Sequence, residues 1–476
     1  MKAMNSIAVV IFAVLVINVD GFATIRSKHD VSLRASSVIN TSPSDDGSKS
    51  IDEQSIASAS FNLIKGCVGS GVLSLPAGVA AIGDVPQALV PAMIILFTLG
   101  TISAYTFHLI GRLTAVVSSD SGDDGQHISS LGNIWDFEVG SSTSWLVSLA
   151  VMLTCFGTSL SYSIILGDTI KSLVETAGIS NYILTSRRFN VAAIALLGIY
   201  PLSCLKSLAA LAPVSLAGVA GIIVTCIVMT IRALPGYALS SLPLQPSFGI
   251  VGLRRPQSLL VVSSMTATAF LAHMSSPEFF QTLKDNTISR FGKLSIIGFG
   301  FTALISAFMM SIGFLTFGGA CKGMILNNYS IYDHGATLCR ALMAISLLGS
   351  YAFLGNAMRK AYYQIFYKGR EISDKIHYRT TRIFVSSLTA LALLINDAGF
   401  VVSVTGAVLG SALIYMIPSF LFLKQTNRRM ASGALASTKR LKIERWFNMG
   451  LIGLGSFLAL AGAYMSVLNS FFPHLL

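Results

Sequence analysis

The chain has 476 residues, of which 53% are hydrophobic and 11% charged, with a mean hydropathy of +0.70. A soluble domain carries about 25% charged residues, so an ordinary soluble enzyme is excluded, and the apolar content excludes a mainly disordered chain. The net charge of +12 would suit nucleic-acid binding or a polytopic membrane protein with basic inner loops, and only the second fits the hydropathy.

At the front, Lys2 precedes an apolar run from Ile7 to Ile17 and the small residues around Gly21 to Ala23. That run is too short to span a bilayer, which takes about 20 residues. Residues 1–23 therefore read as a signal or targeting leader. Residues 24–57 are Ser-rich and read as a disordered tail, or as the transit half of a signal-plus-transit leader. Phe22, close to the cleavage point, resembles leaders of algae with complex plastids. The host membrane stays open among an endomembrane or vacuole, the plasma membrane and a plastid envelope.

Residues 58–476 form the membrane domain. Apolar stretches fall near 61–83, 87–111, 145–170, 189–205, 208–231, 258–280, 294–317, 338–357, 382–397, 399–423 and 447–469. They are continuous rather than alternating, which argues for helices and against a strand barrel. The reading is an all-α polytopic membrane protein with eleven transmembrane helices. With residues 24–57 placed on the cytoplasm-like side, the inner segments carry 23 Lys and Arg and the outer ones 8. This bias supports the count and the orientation, and it accounts for the charge with the lipid bilayer as partner and no nucleic acid. Asn328-Tyr329-Ser330 is a glycosylation sequon in a predicted outer loop. A leader cleaved in the endoplasmic reticulum would put the tail on the opposite side from the loop count.

The six cysteines show no CxxC or Cys/His metal spacing. Of the six, only Cys321 and Cys339, which flank one predicted outer loop, are placed so that they could bridge, and free thiols are the favoured reading. No nucleophile–base grouping and no metal motif stands out, so neither an enzyme nor a bound cofactor is expected.

Chemistry concentrates in the first span, FNLIKGCVGSGVLSLPAG from Phe61 to Gly78. Gly66, Gly69 and Gly71 lie within six residues, with Ser70 between two of them and Pro76 beyond. Each glycine costs about 1 kcal/mol relative to alanine in a helix, so the cluster predicts an interrupted helix. Broken backbone is tolerated in lipid only where protein buries it or a cavity wets it. The freed amides and the positive end of the next half-helix suit a carboxylate. Close packing through small residues is the competing explanation, but the mixed spacing does not stay on one face. Lys65 sits in the same span, where a lysine costs about 2.5–3.5 kcal/mol on insertion scales. It is either a fixed charge or proton carrier, or it snorkels to the inner surface.

The same segment resembles the first helix of the amino acid/auxin permease family. CFGTSLSYSIILGD (Cys155–Asp168) resembles that family's third helix, SLAALAPVSLAGV (Ser207–Val219) its fifth and TATAFLAHMSSPEFFQTLKD (Thr266–Asp285) its sixth. FLTFGGACKGMILNNYS (Phe314–Ser330) is similar to its seventh helix and following loop, and Asn396–Leu423 to its tenth. The resemblance runs from about residue 58 to the C-terminus. It implies a five-plus-five inverted repeat of the leucine-transporter type plus one extra helix, moving amino acids by alternating access.

By that resemblance, Gly66, Cys67, Gly69, Ser70 and Gly71 contact substrate from the first helix. Thr266, Ala267 and Phe270 do so from the sixth, whose break is the less secure of the two because it lacks a glycine cluster. Tyr162 closes the pocket or merely packs. Lys65 resembles the lysine of proton-coupled members, where sodium-coupled members have Asn, so H+ is the favoured coupling ion and Na+ the alternative. Ser346 and Ser350 stand where a sodium-site hydroxyl is expected, and His273 is a further coupling candidate because histidine titrates near neutral pH. His108, Asp168 and Asp397 read as interfacial, and Gly406 with Gly410 as packing residues. The expected activity is proton-coupled transport of small neutral amino acids. Sodium symport and an amino acid sensor of the same fold are the alternatives.

Overall fold

Continuous apolar stretches leave a backbone in lipid one economical way to satisfy its own N–H and C=O groups. Among the residues it describes, the computed structural model is accordingly helical, with isolated bridges that include Gly83 with Leu253 and Ser247 with Gly318. It describes residues 54–120, 130–205, 212–234, 246–250, 252–253, 256–368 and 370–472. The leader and nearly all of the Ser-rich tail lie outside these residues.

The helices are α1 (Ile56–Cys67), α2 (Ser70–Ile82), α3 (Leu89–Asp120), α4 (Leu131–Glu138), α5 (Ser144–Thr176), α6 (Arg187–Ile194), α7 (Tyr200–Ser203), α8 (Ala212–Ala233), α9 (Leu259–Ala269), α10 (Ser276–Thr282), α11 (Ile288–Phe317), α12 (His334–Phe366), α13 (Asp374–Leu394), α14 (Ala398–Thr405), α15 (Ile417–Ala431) and α16 (Lys439–Phe471). Ser55 caps α1, accepting from the Ser58 amide at 3.2 Å. A Ser N-cap satisfies an otherwise orphaned amide, so α1 begins slightly ahead of residue 58.

Helix lies under each predicted apolar stretch, but the count of eleven spans is not confirmed. Among the described residues, seven helical stretches are long and apolar enough to cross a membrane, and the bent α1–α2 pair makes an eighth. The others fall short for local reasons. A π-helical turn, Ala195–Ile199, interrupts α6 and α7. The apolar part of α8 is only Gly218–Ala233. The start of α13 carries Asp374, Lys375, His377, Arg379 and Arg382.

Helix α12 packs on α5 and α8, α11 on α3 and α1, and α9 on α2, α3, α14 and α16. The stretch Pro256–Thr282 has 83% of its apolar window buried, against 33% for α3 and for α16. The sixth predicted span is therefore central, while α3 and α16 keep flanks for lipid. The end with the basic loops is laced by ion pairs: Arg112 with Glu444, Arg428 with Asp120 and Glu138, Lys368 with Asp136, and Lys360 with Glu278.

The structure bears on the sequon and on the cysteine pair. The sequon asparagine, Asn328, is fully buried; its Oδ1 accepts from the Lys322 amide at 2.9 Å and its Nδ2 donates to Ala320 O at 2.8 Å. It pins the α11–α12 loop and has no room for a glycan. Cys321 and Cys339 are both free thiols: the Cys321 Sγ lies 3.6 Å from Gly313 O, and Cys339 is fully buried on α12.

Candidate substrate site between two helix breaks

The first break follows from the glycines. α1 stops at Cys67, Val68 and Gly69 leave helical geometry, and α2 starts at Ser70 with its axis turned by 49°. No side chain caps α2, so its first amides, at the positive end of the helix dipole, face the break. The Tyr162 hydroxyl lies against Gly69 and the Ser70 amide, so closely that any β-carbon at 69 would collide with it. Ser70 Oγ and Ser161 Oγ are 2.9 Å apart, and Ser74 Oγ donates to Ser70 O at 2.9 Å. A β-carbon at Gly71 would stand 2.8 Å from Ala269 N and 2.9 Å from Ala269 Cα. The first break thus rests directly on the backbone at the end of α9.

The second break lies there. α9 ends at Ala269, Phe270 to Ala272 leave the helix, and a 3₁₀ turn, His273–Ser275, leads into α10. No glycine is present. Thr268 Oγ1 donates to Val402 O of α14 at 2.8 Å. Gly406 lets the α14 end approach the Ser264 carbonyl so closely that no β-carbon fits. Two π-helical turns, Gly406–Gly410 and Ala412–Met416, follow in that helix. Such turns are frequent at functional sites.

The structure gathers Gly69, Ser70, Gly71 and Tyr162 around the meeting point of the breaks. Gly66 adjoins open space, with nothing within 4 Å of a β-carbon there. The Cys67 thiol turns to the Thr302 hydroxyl of α11. Thr266 is fully buried, and its hydroxyl has no partner among the described residues. Ala267 packs on Gly410. The Phe270 ring fills the gap between Gly100 of α3 and Phe299 of α11, making it a wall between helices. Ser346 of α12 packs on Gly218 of α8, while Ser350, also on α12, is half-buried. Lys65 is only 8% exposed, in the last turn of α1. A cation there lies at the favourable negative end of the half-helix dipole. Sequence reasoning missed Ser161, Thr268 and Val402, whose roles exist only once distant helices meet.

Two cavities approach the second break from opposite ends of the bundle. One, of about 440 Å³, is lined by Met274, Ser275, Glu278, Asp136, Lys360 and Tyr363. The other, of about 260 Å³, is lined by Val261, Met265, Gly319, Asp397, Ser403 and Ser466.

Abutting broken helices at the centre of a helical bundle, with a cavity toward each end, define a class of membrane transporter architecture. The chain belongs to the transmembrane amino acid transporter protein family, matched over residues 52–468. It is therefore a multi-pass amino acid transporter-family protein and not an enzyme. It is 28% identical over 405 residues to the putative sodium-coupled neutral amino acid transporter 11 of Danio rerio, covering 84% of this chain and 85% of that protein. It is 25% identical over 441 residues to the human sodium-coupled neutral amino acid transporter 7, covering 88% of each. The solved structure of MhsT in complex with L-phenylalanine superposes with a TM-score of 0.54 at 14% identity, covering 86% of this chain and 98% of that one. That likeness shows a shared fold.

Proposed function

We propose that this chain is a secondary active transporter of small neutral amino acids, working by alternating access through eleven helices. Ten of these would form a five-plus-five inverted repeat of the leucine-transporter type, and α16 would be the extra one. The observation that carries the reading is the contact of the two breaks, Gly71 against Thr268 and Ala269, beneath Tyr162. Breaks in the first and sixth predicted spans occupy matching places in two five-helix repeats. Substrate carboxylate would meet the amides of Gly69, Ser70 and Gly71 at the positive end of α2. Substrate ammonium would meet the carbonyls of Thr266 and Ala267 at the negative end of α9. Gly66 and Cys67 would border the side-chain space, Tyr162 would cover it, and Phe270 would back it.

The relatives are named sodium-coupled, and this favours sodium over the proton expected from Lys65; the proton expectation gains no support. Ser346 and Ser350 are the candidate hydroxyls for the ion. The burial of Lys65 keeps one second reading in play, in which its charge substitutes for or exchanges with the coupling cation.

The test is uptake of labelled neutral amino acids by proteoliposomes under an imposed sodium or proton gradient, with Lys65→Ala alongside. Sodium-driven accumulation is expected. Accumulation driven only by protons and lost in the variant would return the coupling to Lys65. Binding without accumulation under either gradient would leave a sensor or exchanger.

A further inference from the structure

The second break has no glycine of its own; Pro277 at the start of α10 blocks continuation of the helix through 273–276, but it does not act on residues 269–272. Ala269, Phe270, Leu271 and Ala272 include three residues that rank among the better helix formers, and no glycine or proline interrupts them. Contacts outside the segment therefore contribute to holding it out of the helix. Three side chains flanking it do so, each bonded to the backbone of another helix. On the α9 side, Thr268 Oγ1 donates to Val402 O of α14 at 2.8 Å. On the α10 side, Ser276 Oγ donates to Phe107 O of α3 at 2.9 Å. Between them, His273 Nε2 lies 3.1 Å from Ser103 O and 2.9 Å from Thr106 Oγ1, both on α3.

The acceptors fix the tautomer. Ser103 O can only accept, so Nε2 carries the hydrogen. Thr106 Oγ1 gives its own hydrogen to Ile102 O at 3.0 Å and accepts with a lone pair. Nδ1 is then bare, and it is buried without a partner among the described residues. The rings of Phe107 and Phe299 stand edge-on to the imidazole, each at 5.9 Å. A second proton on Nδ1 would create a buried cation without an acceptor, which is strongly unfavourable. The imidazole is built as a neutral clamp.

We infer that His273 is a positioning residue: with Thr268 and Ser276 it strings the glycine-free break between α14 and α3, so that α10 is fastened to α3 while the end of α9 is fastened to α14. This deepens the transport reading and rests on it for its uptake arm. The break then persists while the two half-helices belong to different neighbours.

The test compares His273→Ala, His273→Asn, His273→Gln and Ser276→Ala in the purified full chain in nanodiscs. Gln can place an amide N–H near the Nε2 position, whereas Asn is too short. Hydrogen exchange over residues 268–280 is read separately from proteoliposome uptake. In the Ala and Asn variants, exchange there should quicken about tenfold, the loss of roughly one buried hydrogen bond, with α16 unchanged. Maximal uptake should fall to a similar degree. Gln should restore both to within about threefold of wild type. Wild-type exchange in His273→Ala, or a Gln variant no better than Ala while both stay monodisperse, overturns the clamp. If His273→Ala fails to fold, Ser276→Ala decides: faster exchange confined to the same segment supports the inference, and unchanged exchange overturns it. Absence of uptake by the wild-type protein would reject the transport reading, while the exchange comparison still decides the clamp.

Discussion

The two breaks at the centre of this protein reach similar ends by different chemistry. The first is encoded locally: glycines at 69 and 71 permit backbone that a β-carbon would block, against Tyr162 in one case and the Ala269 backbone in the other. The second uses residues at home in a helix and is held by Thr268, His273 and Ser276 bonding to carbonyls of α14 and α3. A break made by glycine depends on what is missing, so any added atom damages it. A break made by anchors depends on several modest bonds, so single losses loosen it by degrees.

Gly71→Ala should therefore have the largest effect. Its new methyl meets backbone, which cannot rotate away, and overpacking of this kind costs about 1–3 kcal/mol or more. Substrate-binding affinity and folded yield should both collapse. Gly69→Ala meets instead the far end of Tyr162 and should be rescued in part by Tyr162→Phe, which removes the colliding hydroxyl. Equal damage from the two glycine variants, with no rescue, would contradict the distinction between backbone and side-chain obstruction.

A perturbation remote from both breaks separates global stability from the site. Asp333 caps α12 through the Ala336 amide at 3.1 Å and holds Arg232 by two bonds of 2.7 and 2.8 Å. Burial pushes its carboxyl pKa upward, but the Arg232 bonds and the amides of Ala336 and Gly335 outweigh it, so the net value lies below the ordinary range. A group depressed in the folded state contributes stability that is present above its unfolded pKa of about 4 and is lost as pH falls through the folded value. Thermal unfolding in detergent should thus show an acid-side loss below about pH 4 that Asp333→Asn diminishes. At neutral pH the variant should unfold at lower temperature, by about 1–3 kcal/mol for a broken buried hydrogen-bonded pair. Its KM for amino acid should stay unchanged; a large shift would mean that the outer loop belongs to the site.

Thr268→Val tests one anchor of the second break. It keeps the shape and removes the donor to Val402 O, a loss of about 0.5–1.5 kcal/mol. Combined with Ser276→Ala, the loosening should exceed the sum of the single effects, because both act on one segment. Exchange protection of residues 268–280 gives the measure, and strict additivity would indicate independent contacts.

The contrast also shows what a sequence can reveal. The first break was legible because its cause is written where it occurs, in Gly66 to Gly71. The apolar stretches were legible because lipid allows one backbone solution, and helix does lie under each. The second break stayed doubtful in the sequence because Val402, Ser103 and Phe107 are far from it in the chain and act through carbonyls that every residue possesses. The π-helical turns after α14 start where Gly406 meets Ser264, a contact the sequence does not display. The sequon at Asn328 misled because three letters cannot report burial, and the packing of Ser346 on Gly218 is equally invisible in the sequence.

Gly66→Ala should have the smallest effect on the fold and is the sharpest probe of the site. Gly66 lies within α1, where alanine favours the helix by up to about 1 kcal/mol. Its β-carbon would enter open space, so thermal stability should hold or rise. If that space receives the substrate side chain, KM for larger neutral amino acids should increase more than KM for glycine or alanine. An equal change for all substrates, or none, would place the side-chain space elsewhere and leave Gly66 as a residue that only weakens the end of α1. With the size-dependent change, the damage at Gly71 and the tolerance at Gly66 mark the limit of the site: backbone contact on one side of the break and free volume, five residues earlier, on the other.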